Sequence, residues 1–275
     1  MNTKVADNFA KLKRSLFLLP VFFIITIILF LFSKDALSIN GYIQVQKDCF
    51  YFMNYYLGQY PNIEYNITQI GDASVFLSFI ILLIVYAPKI WETLITASLI
   101  SLLFSFVLKR LFCVPRPAQI FDNNSFIIVG KKAVGFSSLP SGHALTMITV
   151  LTILMFGFMP KRQINKVLYK IIFLIIGLIL ISTRVGVGAH YPLDVVIGGL
   201  IGYICALIGI FISQKYSLWN FLCKINCYPI FMVIIIICSI SLLFKINNEN
   251  LIVYYLALIS LFVSLYKFMH VYIKK

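Results

Sequence analysis

The sequence predicts an all-α, polytopic integral membrane helix bundle of about eight spans, and three observations carry that prediction. Hydrophobic residues make up 61% of the 275 residues and charged residues only 12%, for a mean hydropathy of +0.97. That is more apolar surface than a soluble domain of this length can bury. The apolar residues come in continuous runs, unlike the short alternating segments of a membrane β-barrel. An α-helix is the element that closes its own backbone hydrogen bonds in lipid. The basic residues, which leave a formal net charge of +14, sit between the runs, where they orient a membrane protein and meet anionic headgroups. They form no single stripe that could track nucleic acid, so no nucleic-acid partner is expected.

In chain order, residues 1–14 form a polar, basic N-terminus with Lys4, Lys11, Lys13 and Arg14. Ser15 to Phe32 is charge-free and longer than a signal-peptide core, and no small-x-small cleavage site follows it; it reads as a retained anchor helix. A polar stretch from Ser33 to about Asp72 contains the aromatic segment Cys49 to Tyr56. That segment is too short to span and suits a helix lying at the outer headgroup region. Further apolar runs at about 73–87, 91–108, 144–159, 167–182, 195–213, 229–244 and 251–266 bring the candidate spans to eight. Several fall short of the roughly 20 residues that cross a bilayer and must extend into their flanks. Tight turns are expected at Pro88 to Ile90 and Lys245 to Asn250, and one long loop at Ala118 to Leu139. The six cysteines show neither a C-x-x-C pair nor zinc-ligand spacing.

Basic-residue bias sets the orientation. With eight spans and an inner N-terminus, 14 of the 23 lysines and arginines fall inside, while seven of the nine acidic residues fall outside. The expected location is the plasma (inner) membrane, multi-pass, with both termini cytoplasmic. Three polar clusters then share the extracytoplasmic face.

The first cluster runs from Lys109 to Pro117. Basic residues at a helix end ordinarily snorkel to headgroups, but Arg116 lies between Pro115 and Pro117. Those prolines fix its backbone and forbid helix continuation, which suits a rigidly held oxyanion. The second cluster is Pro140-Ser141-Gly142-His143. Ser141 is a good N-cap for the following helix, whose free N–H groups attract anions, and Gly142 lets a ligand approach the backbone. The third runs from Thr183 to Asp194 and holds Arg184, His190 and Asp194. Pro192 suits the first turn of a helix, which puts His190 and Asp194 within reach of each other. A carboxylate on one imidazole nitrogen sets the tautomer and frees the other as nucleophile or base. Taken singly, each cluster also reads as ordinary solvation of a helix end. The outer acids are scattered, so no metal is expected.

Lys109-x6-Arg116-Pro117, Pro140-Ser141-Gly142-His143 and Arg184-x5-His190-x3-Asp194 occur in that order. Together they resemble the type 2 phosphatidic acid phosphatase (PAP2) family, which shares its site with the vanadium haloperoxidases. The resemblance covers roughly residues 70 to 213. Thr183 stands where the family often has serine and keeps the hydroxyl. The resemblance implies a PAP2-like six-helix core, with residues 15–213 as the catalytic domain and 214–275 as two additional C-terminal transmembrane helices. It further implies a metal-independent, cofactor-free phosphatase. His190 would attack phosphorus, Asp194 would orient it and His143 would protonate the leaving group. Lys109, Arg116, Ser141, Gly142 and Arg184 would hold the phosphoryl oxygens. The implied partner is an outer-leaflet lipid phosphate or diphosphate: undecaprenyl diphosphate, phosphatidylglycerol phosphate, phosphatidate or a lipid A type. A lipid phosphotransferase on the same scaffold and an inactive lipid-binding protein are the other readings. A transporter is disfavoured, because the centres of the runs carry no ionisable residue. The sequence carries no signal for oligomeric state.

Overall fold

The computed structural model describes residues 1–274, apart from the side chain of Cys223. Helices α1 (Asn2–Ala10), α2 (Leu18–Ser33), α3 (Ile39–Gly58) and α4 (Pro61–Thr68) lead into α5 (Ala73–Ile80) and α6 (Leu83–Tyr86). Then come α7 (Pro88–Phe112), α8 (Pro117–Ile120), α9 (Gly142–Gly157), α10 (Gln163–Gly186), α11 (Pro192–Lys215), α12 (Tyr228–Glu249) and α13 (Ile252–Ile273). Among the described residues there is no strand.

The apolar runs seed these helices, which extend into their polar flanks as expected. Six helical stretches among the described residues are long and apolar enough to cross a membrane: Arg14–Ser33, Pro88–Ile120, Gln163–Gly186, Pro192–Lys215, Ile225–Glu249 and Ile252–Ile273. A seventh exists if Pro61–Gly71 and Ala73–Tyr86, bent by 71° to each other, form one broken span. Gly142–Gly157 is apolar but has only 16 residues, about 24 Å of helix. The structure therefore gives six or seven full crossings by length and composition; the eighth span of the sequence reading is this shorter helix. The 73–87 run is also not one helix. Its ladder tightens to i→i−3 bonds at Ile84 and Val85, which split it into α5 and α6. Lys245 to Glu249 continue α12 instead of forming a turn; the reversal is made by Asn250 in the left-handed region, φ 46°.

The centre of the bundle is α11 against α9, flanked by α7 and α10. Glycines let these helices approach closely. A Cβ on Gly198 would lie 2.7 Å from the Ser141 carbonyl oxygen, and one on Gly209 would lie 2.6 Å from Ala97 Cβ. Thr149, buried in α9, donates to the Gly202 carbonyl of α11 at 3.0 Å, a direct tie between the two helices. The helices that begin or end the bundle's other half dock on this core. Helix α1 buries Val5 and Phe9 fully, and Asn8 donates to the carbonyls of Gly157 and Met159. Helices α12 and α13 pack on each other and on α5, with Lys245 paired to Asp72 at 2.6 Å.

The stretch from Ser33 to Asp72 differs from a helix lying free at the surface. Tyr42, Gln46, Phe50, Asn54 and Gly58 recur every four residues along α3 and are buried. That stripe faces α10 and α11, so its polar members meet polar partners in the protein instead of lipid headgroups.

Candidate active site

The end of α10 and the start of α11 form the floor of the site. Val187 N–H donates to the Thr183 carbonyl, and both Ala189 and His190 donate to the Arg184 carbonyl, so the chain doubles back at once. Gly188 makes this turn at φ +75°, where a Cβ would also lie 2.6 Å from the Ile127 carbonyl oxygen. Only glycine meets both conditions without strain. Tyr191 caps α11, and Pro192 occupies its first turn as the sequence predicts. Asp194, three residues into the cap, accepts from the Tyr191 N–H at 3.0 Å.

Asp194 is the most heavily bonded side chain of the site. Its Oδ2 also accepts from Ser138 Oγ at 2.5 Å, and its Oδ1 from the Tyr42 hydroxyl at 2.8 Å. His190 Nδ1 lies 3.5 Å from Asp194 Oδ2 and 3.4 Å from Ser138 Oγ. Both His190 and Asp194 are essentially inaccessible, at 1% and 0% exposure. The histidine–aspartate distance is longer than a formed hydrogen bond. With Nδ1 turned to these two oxygens, Nε2 is the nitrogen left for chemistry.

The other two clusters converge on this floor. Helix α7 ends at Cys113 in the left-handed region, φ 46°. The chain beyond it pairs with the loop before α9 through Arg116 N–H to the Gly135 carbonyl and Ser138 N–H to the Val114 carbonyl, both 2.9 Å. This pairing carries Ser138 to Asp194 and lets Arg116 Nη1 donate to the Ala189 carbonyl at 3.3 Å. Ser141 is the N-cap of α9, as expected, and accepts from Ala144 N–H. Its own N–H donates to the Asp194 carbonyl at 3.0 Å, which ties the second cluster to the third. Gly142 lies beneath the Lys109 ammonium: a Cβ there would be 3.4 Å from Nζ. His143, in the first turn of α9, has room because residue 71 is glycine; a Cβ there would come within 2.8 Å of its ring. Arg184 donates through Nη1 to Thr68 Oγ1 at 2.7 Å, while its buried Nε has no partner.

All eight residues singled out in the sequence thus lie at one end of the bundle. Burial, followed by the positive charges of Arg116, Arg184 and Lys109, holds His190 well below the ordinary histidine range, so it is neutral at pH 7. His143 is also within electrostatic reach of Arg184, His190 and Arg116. Three fixed cations around two histidines, with one carboxylate already committed to hydrogen bonds, can hold a dianionic oxyanion and present it to an imidazole. Among the described residues, no three His, Cys, Asp or Glu side chains gather in a way that could hold a metal ion.

Several functional supports escaped the sequence reading. Tyr42 and Ser138 hold Asp194. Gln46 accepts from Leu193 N–H at 2.9 Å and so fixes the first turn of α11. Asn54 donates to the carbonyls of Ile127, Val185 and Gly186 and accepts from Ile127 N–H, closing the end of α10. The four-residue recurrence of Tyr42, Gln46 and Asn54 was the signal available for finding three of them.

Residues 89–218, which contain all three clusters, match the family model described as the PAP2 superfamily. Among solved structures, the crystal structure of Aquifex aeolicus LpxE aligns with a TM-score of 0.51 at 24% sequence identity, covering 62% of this chain and 96% of that one. At that identity the likeness is one of fold. No curated protein sequence matches the chain.

Proposed function

We propose, taking residues 89–218 as a PAP2 superfamily region, that this integral membrane protein is a lipid phosphatase that works through a phosphohistidine. The observation that carries the reading is the neutral, buried His190 beside a carboxylate held by three hydrogen bonds, with Lys109, Arg116 and Arg184 around it. Lys109, Arg116, Arg184, the Ser141 hydroxyl and the Gly142 amide bind the phosphoryl oxygens. His190 Nε2 attacks phosphorus, and the Asp194 carboxylate, facing Nδ1–H, stabilises the positive charge that grows on the imidazole ring. The P–O bond to the leaving group breaks as His143 gives that oxygen its proton. A bound phosphate dianion offsets the surrounding cations, so His143 gains its proton together with the substrate. Water then attacks the phosphohistidine, returns a proton to His143 and releases inorganic phosphate. Catalysis is by positioning and charge stabilisation, which phosphoryl transfer chiefly requires, and needs no metal.

The lipid part of the proposal rests on an apolar groove of about 650 Å³ between α2, α7 and α11. It is walled by residues such as Ile28, Leu31, Leu111 and Ile201 and reaches Tyr42 and Leu139, the neighbours of Asp194 and Ser138. An amphiphile with its phosphate among the cations has a place there for its chain. Purified protein should release inorganic phosphate from at least one of undecaprenyl diphosphate, phosphatidylglycerol phosphate, phosphatidate and a lipid A type phosphate. Release should survive chelator and be inhibited by vanadate. Phosphate found on an acceptor lipid instead would make the protein a phosphotransferase, and failure on every substrate would favour a binding protein.

The basic-residue bias supports a site on the extracytoplasmic face with both termini cytoplasmic. Asn123 and Gln163 are exposed at opposite ends of the bundle. A cysteine at position 123 should react with a membrane-impermeant thiol reagent added to intact cells, and one at 163 only after lysis. Labelling of both from the same side rejects this topology.

A further inference from the structure

At the end of the bundle remote from His190, a pocket of about 850 Å³ opens between the Lys11–Leu16 segment and the turn joining α9 to α10. Helix α9 runs from Ser141 at the site to Gly157 here, and α10 runs from Gln163 here to Arg184 at the site. The pocket is therefore some 32 Å away along α10. Its wall carries Lys11, Lys13, Lys161, Lys166 and Lys170 and no carboxylate, and none of these lysines has an ion-pair partner among the described residues. A second groove, of about 290 Å³, runs from it into the membrane region between α2, α9, α10 and α11. Apart from Lys170, Thr152 and Tyr203 its walls are apolar or glycine. Lys170 lines both spaces.

The two spaces are joined along one face of α10. Lys166, Lys170, Leu174, Gly177 and Ile181 recur at three- and four-residue intervals, the spacing of a single helix stripe. The stripe is basic at the pocket end and apolar beyond. From Lys170 to Ile181 it extends about 16 Å, close to half of a hydrocarbon core of roughly 30 Å. The depth is that of one leaflet, and the order of chemistry is that of a lipid.

We infer that this pocket and groove form a binding site for an anionic phospholipid of the leaflet opposite the catalytic site, with the headgroup phosphate among the lysines and one acyl chain along α10. The occupant follows from charge complementarity and from continuity with the apolar groove. A soluble phosphate would use the pocket alone, and a zwitterionic lipid would leave the lysine charge unmatched. The inference does not depend on the reaction at His190.

Full-length protein in phosphatidylcholine nanodiscs, doped with a phosphatidylglycerol bearing a photoreactive group on its acyl chain, tests this. Phosphatidylglycerol has no phosphomonoester, so it probes the site without being turned over. Label is expected on the groove faces of α2, α9 and α10. Excess unlabelled phosphatidylglycerol should remove it; excess phosphatidylcholine or soluble glycerol phosphate should not. Replacing Lys161, Lys166 and Lys170 together by Gln should lower labelling at least about tenfold, the scale set by three lysines at an anionic surface. This variant keeps Lys4, Lys11, Lys13 and Arg14 for orientation. Leu174→Trp, which fills the groove from an exposed position, should also lower labelling with every lysine intact. Equal competition by phosphatidylcholine, displacement by glycerol phosphate, label spread evenly over the lipid-facing helices, or unchanged labelling in both variants overturns the proposal. The competition arms use the unmodified protein, so the result stands even if a variant fails to fold.

Discussion

His190→Ala should abolish both phosphate release and any acid-labile phosphoenzyme, a loss of roughly 10⁴-fold or more, the scale on which removal of a nucleophile acts. His143→Ala should cost less, about 10²–10⁴-fold, and should be largely rescued by an aryl phosphate whose acidic phenol leaves without a proton. Asp194→Asn should keep the shape of the site but favour the wrong tautomer, with a loss approaching about 10⁴-fold. The pH dependence adds a signed test. The reaction needs neutral His190, and burial and neighbouring cations hold its pKa well below 6.5. The acid limb of kcat/KM, which reports the free enzyme, should therefore lie below pH 6.5. Arg116→Gln removes the largest of the charges acting on His190, so its pKa rises and the acid limb moves to higher pH. Quenched-flow trapping of phosphate on His143, an active His190→Ala, or an acid limb that Arg116→Gln leaves in place would reverse the assignment.

Gly198→Ala should damage the site although it adds only one methyl group. In a helix interior, alanine is ordinarily favoured over glycine by roughly 1 kcal/mol. Here the new Cβ would stand 2.7 Å from the Ser141 carbonyl oxygen and 3.3 Å from its nitrogen. Both are backbone atoms and cannot rotate away, so α9 and α11 must separate. Overpacking of this kind costs about 1–3 kcal/mol. The separation acts where Ser141 donates to the Asp194 carbonyl, so it displaces His143 relative to His190. A shift of about 1 Å can cost 10²-fold in rate. The neighbouring residue provides the control. A Cβ on Gly199 would meet Ile148 at 3.5 Å, ordinary contact, and Gly199→Ala should remain close to wild type. Measuring kcat and the thermal midpoint in detergent for the two variants checks this; equal behaviour would show that close approach at Gly198 does not set the site.

Much of this protein is legible in one dimension. Continuous apolar runs can only be helices in lipid, because nothing but an intra-segment ladder satisfies the backbone there. Ser141 and Pro192 start α9 and α11 by local capping chemistry that needs no tertiary contact. The order and spacing of Lys109, Arg116, His143, Arg184, His190 and Asp194 singled out a candidate site only jointly, through the resemblance of the three motifs to one family, because charged residues at one helix end read equally well as ordinary solvation. What the sequence by itself could not decide is how the carboxylate is held. Tyr42 lies 152 residues from Asp194 and Ser138 lies 56 residues from it, and no local pattern links hydroxyls to a carboxylate across such distances. The fate of the stretch around α3 was likewise a tertiary matter. An aromatic helix with a polar stripe is equally suited to a headgroup region and to a polar protein surface. Its position is fixed by Asn54, which donates to the Val185 and Gly186 carbonyls at the end of α10. The Val185 carbonyl also accepts from Gly188 N–H, so the buried Gly186 carbonyl is the group that Asn54 keeps from being left unpaired, a loss of about 1–3 kcal/mol.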